Sequence, residues 1–290
     1  MQQTENNKSP TEETQLKIST PQHYIRVPKE IILQDNLSEH RISALIYLHF
    51  NQTWEEFVHY SPIYMIQWCG YKPNWHRGTT ENIFTKFKES MQWLYENGYI
   101  LDFDKDKYVQ NTFQSSLLNK DKMIPKNNYG MLFDFEIAAI MNYQSSYKPL
   151  NKSILLLLLS YIRAFTWVRQ NETTGHSEKS KKEKPEIFHS QFQTMENFIH
   201  VKARMISKAT TVLEELGMIK THRMPSYQDN NGVWHTDDII YICPYKLVWN
   251  TKTKQYRICN KEEYDWHKEL EYGINYLREC KYSSKKFYQD

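Results

Sequence analysis

The chain has 290 residues, room for two domains at roughly 100–200 residues each, and its 40% apolar and 14% aromatic residues exclude a wholly disordered polymer. Its 37 Lys and Arg against 34 Asp and Glu leave a net charge of +3. That is too small to mark the whole chain as a nucleic-acid or membrane binder, so any basic surface has to be local.

Residues 1–22 are polar, lack the apolar run of a signal peptide or anchor, and are expected to form a disordered tail. A first domain is expected over 23–125. Ser38 can cap a helix, with Leu37 and Ile42 as a hydrophobic staple and Ile42, Leu45, Ile46 and Phe50 continuing its apolar stripe. Ser61 and Pro62 read as the cap and first residue of a short helix that Gly70 stops. A longer helix follows with Ile83, Phe84, Phe87, Met91, Leu94 and Tyr95 facing inward, and Asn97-Gly98 ends it. Tyr99 to Phe103, a turn at Asp104 to Asp106, and Lys107 to Gln110 predict a hairpin.

Residues 126–150 are expected to be a packed connector with a short strand and a helix around Phe135 to Met141. The apolar run Ile154 to Leu159 is broken further on by Arg163 and falls short of the ~18 residues of a membrane span, so it predicts a helix buried on most sides and no transmembrane segment. This helix opens a second domain, 151–248, which contains a polar segment, 171–186, expected to be a mobile loop. Met195, Phe198 and Ile199 then form one inward face, and Met205, Ile206, Ala209, Leu213 and Leu216 the next. Ser190 or Thr194 can cap the first of these helices, and Gly217 ends the second. A turn signal at 229–232 precedes the apolar strand Ile239 to Ile242. Residues 249–290 predict a helix bearing Tyr264, Trp266, Leu270, Ile274, Leu277 and Cys280, then a basic tail with Lys281, Lys285 and Lys286.

The four cysteines, Cys69, Cys243, Cys259 and Cys280, lie far apart with no C-x-x-C, the usage of free thiols in a reducing cytoplasm, where the chain is expected to reside. None of the familiar enzyme signatures is present. No two of the eight glycines have the P-loop spacing, none of the eleven histidines are two apart as rolling-circle nickases require, and H-E-x-x-H and G-x-S-x-G are missing. Asp102, Asp104 and Asp106 alternate as cation ligands can, but Lys107 and Phe113 stand where a calcium loop needs Gly and Glu, so a solvated turn is the better reading. Neither a metal nor a cofactor is expected, and the chain reads as a non-enzyme.

Helix, turn, helix and hairpin in this order, with E-E-L-G-M-I closing the second helix at 214–219, resemble the winged helix-turn-helix of DNA-binding proteins. His200 replaces the usual turn glycine. The fold class expected is mainly α with small β-hairpin wings (α+β), with two winged helix-turn-helix domains in tandem and a C-terminal helix. The family's base-reading positions fall on Lys202, Ala203, Arg204, Ser207, Lys208 and Thr211. In the first domain Lys72, Arg77, Lys86 and Lys88 outnumber Glu81 by three; in the second Lys202, Arg204, Lys208, Lys220 and Arg223 outnumber Glu214 and Glu215 by three. Each basic patch suits phosphate contact.

The plan as a whole, including Y-I-R-V-P-K-E at 24–30, resembles tandem winged-helix replication initiators and phage-type replisome organisers of low-GC Gram-positive bacteria, as carried by plasmids and phages. The resemblance implies sequence-specific binding of double-stranded DNA. Phosphates would be held by Lys72, Lys86, Lys202, Lys208, Lys220 and Arg223 and bases read by Arg77, Asn82, Arg204, Ser207 and Thr211, with Thr79 and Thr80 at the same surface. Partners beyond DNA would be a replicative helicase or its loader and a second copy of the chain, with no membrane. Three alternatives stay open: a transcriptional regulator of the same fold; a winged-helix module that binds protein instead of DNA, whose basic faces would be interrupted by acids; and, third, an enzyme whose groups meet only in the fold, which a concave pocket with convergent titratable groups would reveal. Trp75 and Trp234, in predicted loops, suit packing and base stacking equally.

Overall fold

The structure, a computed structural model, describes residues 23–53, 57–73, 82–110, 112–144, 150–166, 184–228, 231–235, 238–280 and 286–287. It is a mixed α+β fold whose strands form small antiparallel sheets. Strand β1 (Tyr24–Pro28) leads through the single-turn α1 (Lys29–Ile32) into α2 (Ser38–Phe50). The expected cap at Ser38 is displaced: the Asp35 carboxylate accepts the Leu37 N–H at 2.8 Å and also holds Arg41, while the Ser38 hydroxyl accepts the Asp35 N–H. Leu37, the residue at the cap position, has no side-chain acceptor and Ser38 is already the first helical residue, so the carboxylate of Asp35, three residues ahead of the helix, orders the lead-in.

Strand β2 (Phe57–Tyr60) precedes α3 (Pro62–Trp68), which has Pro62 at its first position, and then comes α4 (Ile83–Glu96). Phe87, Ser90, Met91 and Leu94 make the buried face of α4, while Tyr95, expected to face inward, is exposed. Strand β3 (Gln114–Leu117) pairs with β2, Phe57 opposite Leu117, and Ile100 bridges Leu118. The hairpin expected between 99–103 and 107–110 therefore gives way to a pairing with 114–118. Phe103 and Tyr108 are drawn into the core with rings 5.7 Å apart, which removes them from any ladder, and the Asp104 carboxylate accepts the Asp106 and Lys107 N–H groups in an exposed turn. Among the described residues no group of His, Cys, Asp and Glu is placed to hold a metal ion.

Next come α5 (Lys120–Met123), β4 (Tyr129–Phe133) and α6 (Asp134–Asn142), then α7 (Lys152–Phe165), β5 (Phe188–Ser190), α8 (Phe192–Ile199), α9 (Ala203–Glu215) and β6 (Lys220–Arg223). Two short strands, β7 (Tyr227–Gln228) and β8 (Trp234–His235), lie between β6 and β9 (Ile239–Ile242). The second half repeats the first. Each runs strand, helix, longer helix, strand and a pair of helices, and in each the strand ahead of the helix pair bonds to a strand that follows the pair, β2 to β3 and β5 to β9. The ends of α4 and α9 match bond for bond: Gly98 and Tyr99 N–H donate to the Tyr95 and Leu94 carbonyls, and Gly217 and Met218 N–H to those of Glu214 and Leu213. Both glycines have positive φ, +71° and +69°, the conformation that favours glycine after a helix.

The lead-in strands β1 and β4 pair antiparallel, Tyr24 opposite Phe133 and Pro28 opposite Tyr129. Since they hold the same place in the two halves, this reciprocal register is the mark of an approximate two-fold relation between them. Buried residues of both halves, from Ile25, Leu45 and Phe87 to Leu156, Ile206 and Tyr241, form one connected cluster. Helix α7 lies at its centre, with Ile154 to Leu159 all buried against α2, α9 and β4; burying such a side chain contributes about 1.5–3 kcal/mol. At Gly130 the approach of β4 to α7 is close enough that a Cβ would stand 2.2 Å from the Ser160 carbonyl oxygen.

A buried ion pair closes this joint. Glu136, fully buried, accepts the Phe133 N–H at 2.8 Å and Arg163 Nη1 at 2.7 Å, and also bonds Arg163 Nη2 and the Tyr245 hydroxyl. The hairpin of β10 (Leu247–Asn250) and β11 (Gln255–Ile258) sets Tyr256 against Tyr24 and Phe133. Helix α10 (Trp266–Cys280) folds back on the outer face of β9, where Leu277 joins Ile240, Ile242, Ile187 and Met224 in a smaller cluster. The strand β12 (Lys286–Phe287) pairs with β7. No helix among the described residues is long and apolar enough to cross a membrane.

Candidate nucleic-acid interface

Helices α8 and α9 meet through a turn of three residues. His200 adopts the left-handed conformation there, φ 55° and ψ 24°, at the position Gly70 holds after α3 with φ +84°. Glu196 fixes the angle between the helices, because its carboxylate accepts both the Ala203 N–H at 2.8 Å and the Lys202 ammonium at 2.9 Å. The backbone bond to Ala203 is the larger reason the Glu196 carboxyl is held below its ordinary range.

Helix α9 turns Ile206, Ala209, Thr210, Val212 and Leu213 inward. The opposite face carries Arg204, Ser207, Lys208 and Thr211, spaced three, one and three residues apart, which is one stripe of an α-helix. Arg204, Lys208 and Thr211 are exposed and Ser207 is half-buried. Among the described residues neither Arg204 nor Lys208 has an ion-pair partner, whereas the acids of α9 are engaged at its far end. Glu214 accepts the Thr221 N–H and hydroxyl, and Glu215 accepts the Tyr143 hydroxyl.

The other sequence-derived residues fall in varied places. Lys202 is 84% exposed and ends at Glu196. Arg223 stands opposite Ile239 and Lys220 opposite Ile242. Ile239 belongs to the main core and Ile242 to the cluster under α10, so Arg223 shares the sheet face of α9 and Lys220 lies on the other face. Lys72 is exposed, just after the Gly70 turn. The Asn82 side chain caps α4 by accepting the Phe84 N–H at 3.0 Å. Lys86 is half-buried and faces α2, where its charge acts on Glu39 and His40. Burial raises the Glu39 carboxyl to about 7 and lowers His40 to about 3, so their 3.6 Å approach joins a neutral imidazole to a carboxyl at neutral pH. Arg77, Thr79, Thr80 and Trp75 lie outside the described residues; Trp234 is exposed on β8.

Matching Gly98 to Gly217 and Phe87 to Ile206 aligns the two long helices. On α4 the positions corresponding to Arg204, Ser207, Lys208 and Thr211 are Thr85, Lys88, Glu89 and Gln92. Thr85 and Gln92 were not among the residues singled out from the sequence. The shared ending, L-Y-E-N-G-Y-I against L-E-E-L-G-M-I, was the signal that could have found them. This stripe is less basic, since Glu89 stands where α9 has Lys208, and Gln92 donates to Glu96 at 2.7 Å.

In comparisons with known proteins, no protein-family model matches the chain and no curated protein is similar to it.

Proposed function

We propose that the chain consists of two winged helix-turn-helix modules in tandem and binds double-stranded DNA in a sequence-specific manner, with α9 in the major groove and α4 as the weaker second contact. The observation that carries this reading is the exposed stripe Arg204, Ser207, Lys208 and Thr211, free of acids and held at a fixed angle by α8. An Arg can bond guanine O6 and N7 together, and Lys and Thr suit phosphates. A protein-binding module was expected to have acids interrupting both basic faces; α9 keeps its acids at its other end, while Glu89 interrupts the stripe of α4. The role as a replication initiator or replisome organiser rests on the resemblance of the overall plan. The reading asks no bond-making or bond-breaking of the chain.

The test is enrichment of bound duplexes from a pool covering the source replicon, followed by affinity at two salt concentrations. A specific site should emerge, with affinity falling as salt rises by a log–log slope of about 0.9 per phosphate contacted. Arg204→Ala should cost ~1–3 kcal/mol at one base position, and Lys208→Ala should weaken all sequences alike. Enriched sites in repeats at an origin would favour initiation, and sites upstream of promoters transcriptional control. Absence of binding even at low salt would refute both.

A further inference from the structure

A cavity of about 650 Å³ opens where β4, α7 and the β10–β11 hairpin meet, within the ~300–1,000 Å³ range of small-molecule sites. Phe133, Tyr245 and Tyr256 are its aromatic lining. Two of its cations are committed: Arg163 to Glu136, and Lys246 to Glu186 at 2.7 and 2.8 Å. The other two are not. Among the described residues no carboxylate pairs with Lys29 or Lys126, and Lys29 sits half-buried with its ammonium 4.1 Å from the centre of the Phe165 ring. Burial lowers its pKa with no acid to offset the cost of desolvation. Asn127 and Asn128 stand at the rim, each with an amide donor and an acceptor.

We propose that this cavity binds a nucleoside phosphate, the base against the aromatic walls and the phosphate at Lys29 and Lys126. Two free ammonium groups match a phosphate better than a single carboxylate, and paired amides match the edge of a base. The proposal is independent of DNA binding, because none of these residues belongs to α9 or to the sheet beside it.

The experiment is calorimetric titration of the full chain with ADP, adenosine and inorganic phosphate separately. ADP should bind more tightly than either fragment. Lys29→Gln/Lys126→Gln should weaken ADP about tenfold or more, the loss expected for a charge-assisted hydrogen bond, and leave adenosine unchanged. Lys126→Gln alone, at an exposed position that folding does not need, should weaken ADP in the same direction, while Lys208→Gln should have no effect. No heat with millimolar ADP, equal affinity for ADP and phosphate, or ADP binding indifferent to both lysines would each overturn the proposal.

Discussion

Replacing Arg163 by Met would strip the guanidinium from a carboxylate that has no exposure to solvent. Glu136 would keep the Phe133 N–H and the Tyr245 hydroxyl as donors but lose both charged bonds, and the Met131 carbonyl would lose its bond from Arg163 Nη1 as well. Breaking a buried pair from one side costs about 3–5 kcal/mol, because a charge is left behind in a medium that cannot hydrate it. At ~2–4 °C per kcal/mol, that lowers the melting temperature by roughly 6–20 °C. The opposite change, Glu136→Gln, should cost less, since Gln still accepts the Phe133 N–H and Arg163 borders a cavity open to water. The double variant Glu136→Gln/Arg163→Met should recover about 1–3 kcal/mol of the loss. Urea unfolding at pH 7, followed by far-ultraviolet circular dichroism, measures all four proteins. An Arg163→Met protein within ~1 kcal/mol of the parent, or a double variant no more stable than the single, would refute this account of the joint.

Other consequences can be checked with the same unfolding assay. Burial raises Glu39 above its ordinary 4.5 to about 7, so its contribution is intact below pH 4.5 and is lost as pH rises to 7. Glu39→Gln should therefore match the parent at pH 4.5 and exceed it by about 2–3 kcal/mol at pH 8; an equal gain at both would rule out titration as the cause. Gly130→Ala forces β4 from α7 against a backbone oxygen and should cost ~1–3 kcal/mol or more, and parent-like stability would show that the two are not in such contact. Asn82→Ala should lose about 0.5–2 kcal/mol of stability and, in the proposed DNA complex, leave base preference unchanged. Intact stability with relaxed preference at one base pair would make Asn82 a reader after all.

The helices were legible because their signals are local. The Leu-rich run of α7, the apolar stripe of α9 and the glycines after α4 and α9 each act within a turn or two of chain. Pairing partners were not legible to the same degree. The strand Q-S-S-L has no apolar alternation to announce that it pairs with β2, in place of the hairpin expected between 99–103 and 107–110, and nothing in Y-I-R-V-P shows that its partner lies at 129–133. The candidate site divides in the same way. The outward face of α9 follows from its period, but the role of Asn82 as a cap, through its bond from the Phe84 N–H, shows only in the fold. Lys220 looked like part of the basic patch because sequence proximity does not reveal which sheet face a strand residue takes; its pairing with Ile242 does.

The reciprocal pairing of β1 with β4 also bears on how the protein responds to dilution. A two-part grip built from separate chains weakens as protomer concentration falls, since the halves must first find each other. Here the halves are covalently joined and share one core, so orienting the second after the first has engaged carries little further entropic cost. On the proposed reading, a single chain would make both contacts with one duplex, and its binding midpoint would stay fixed as protein is diluted.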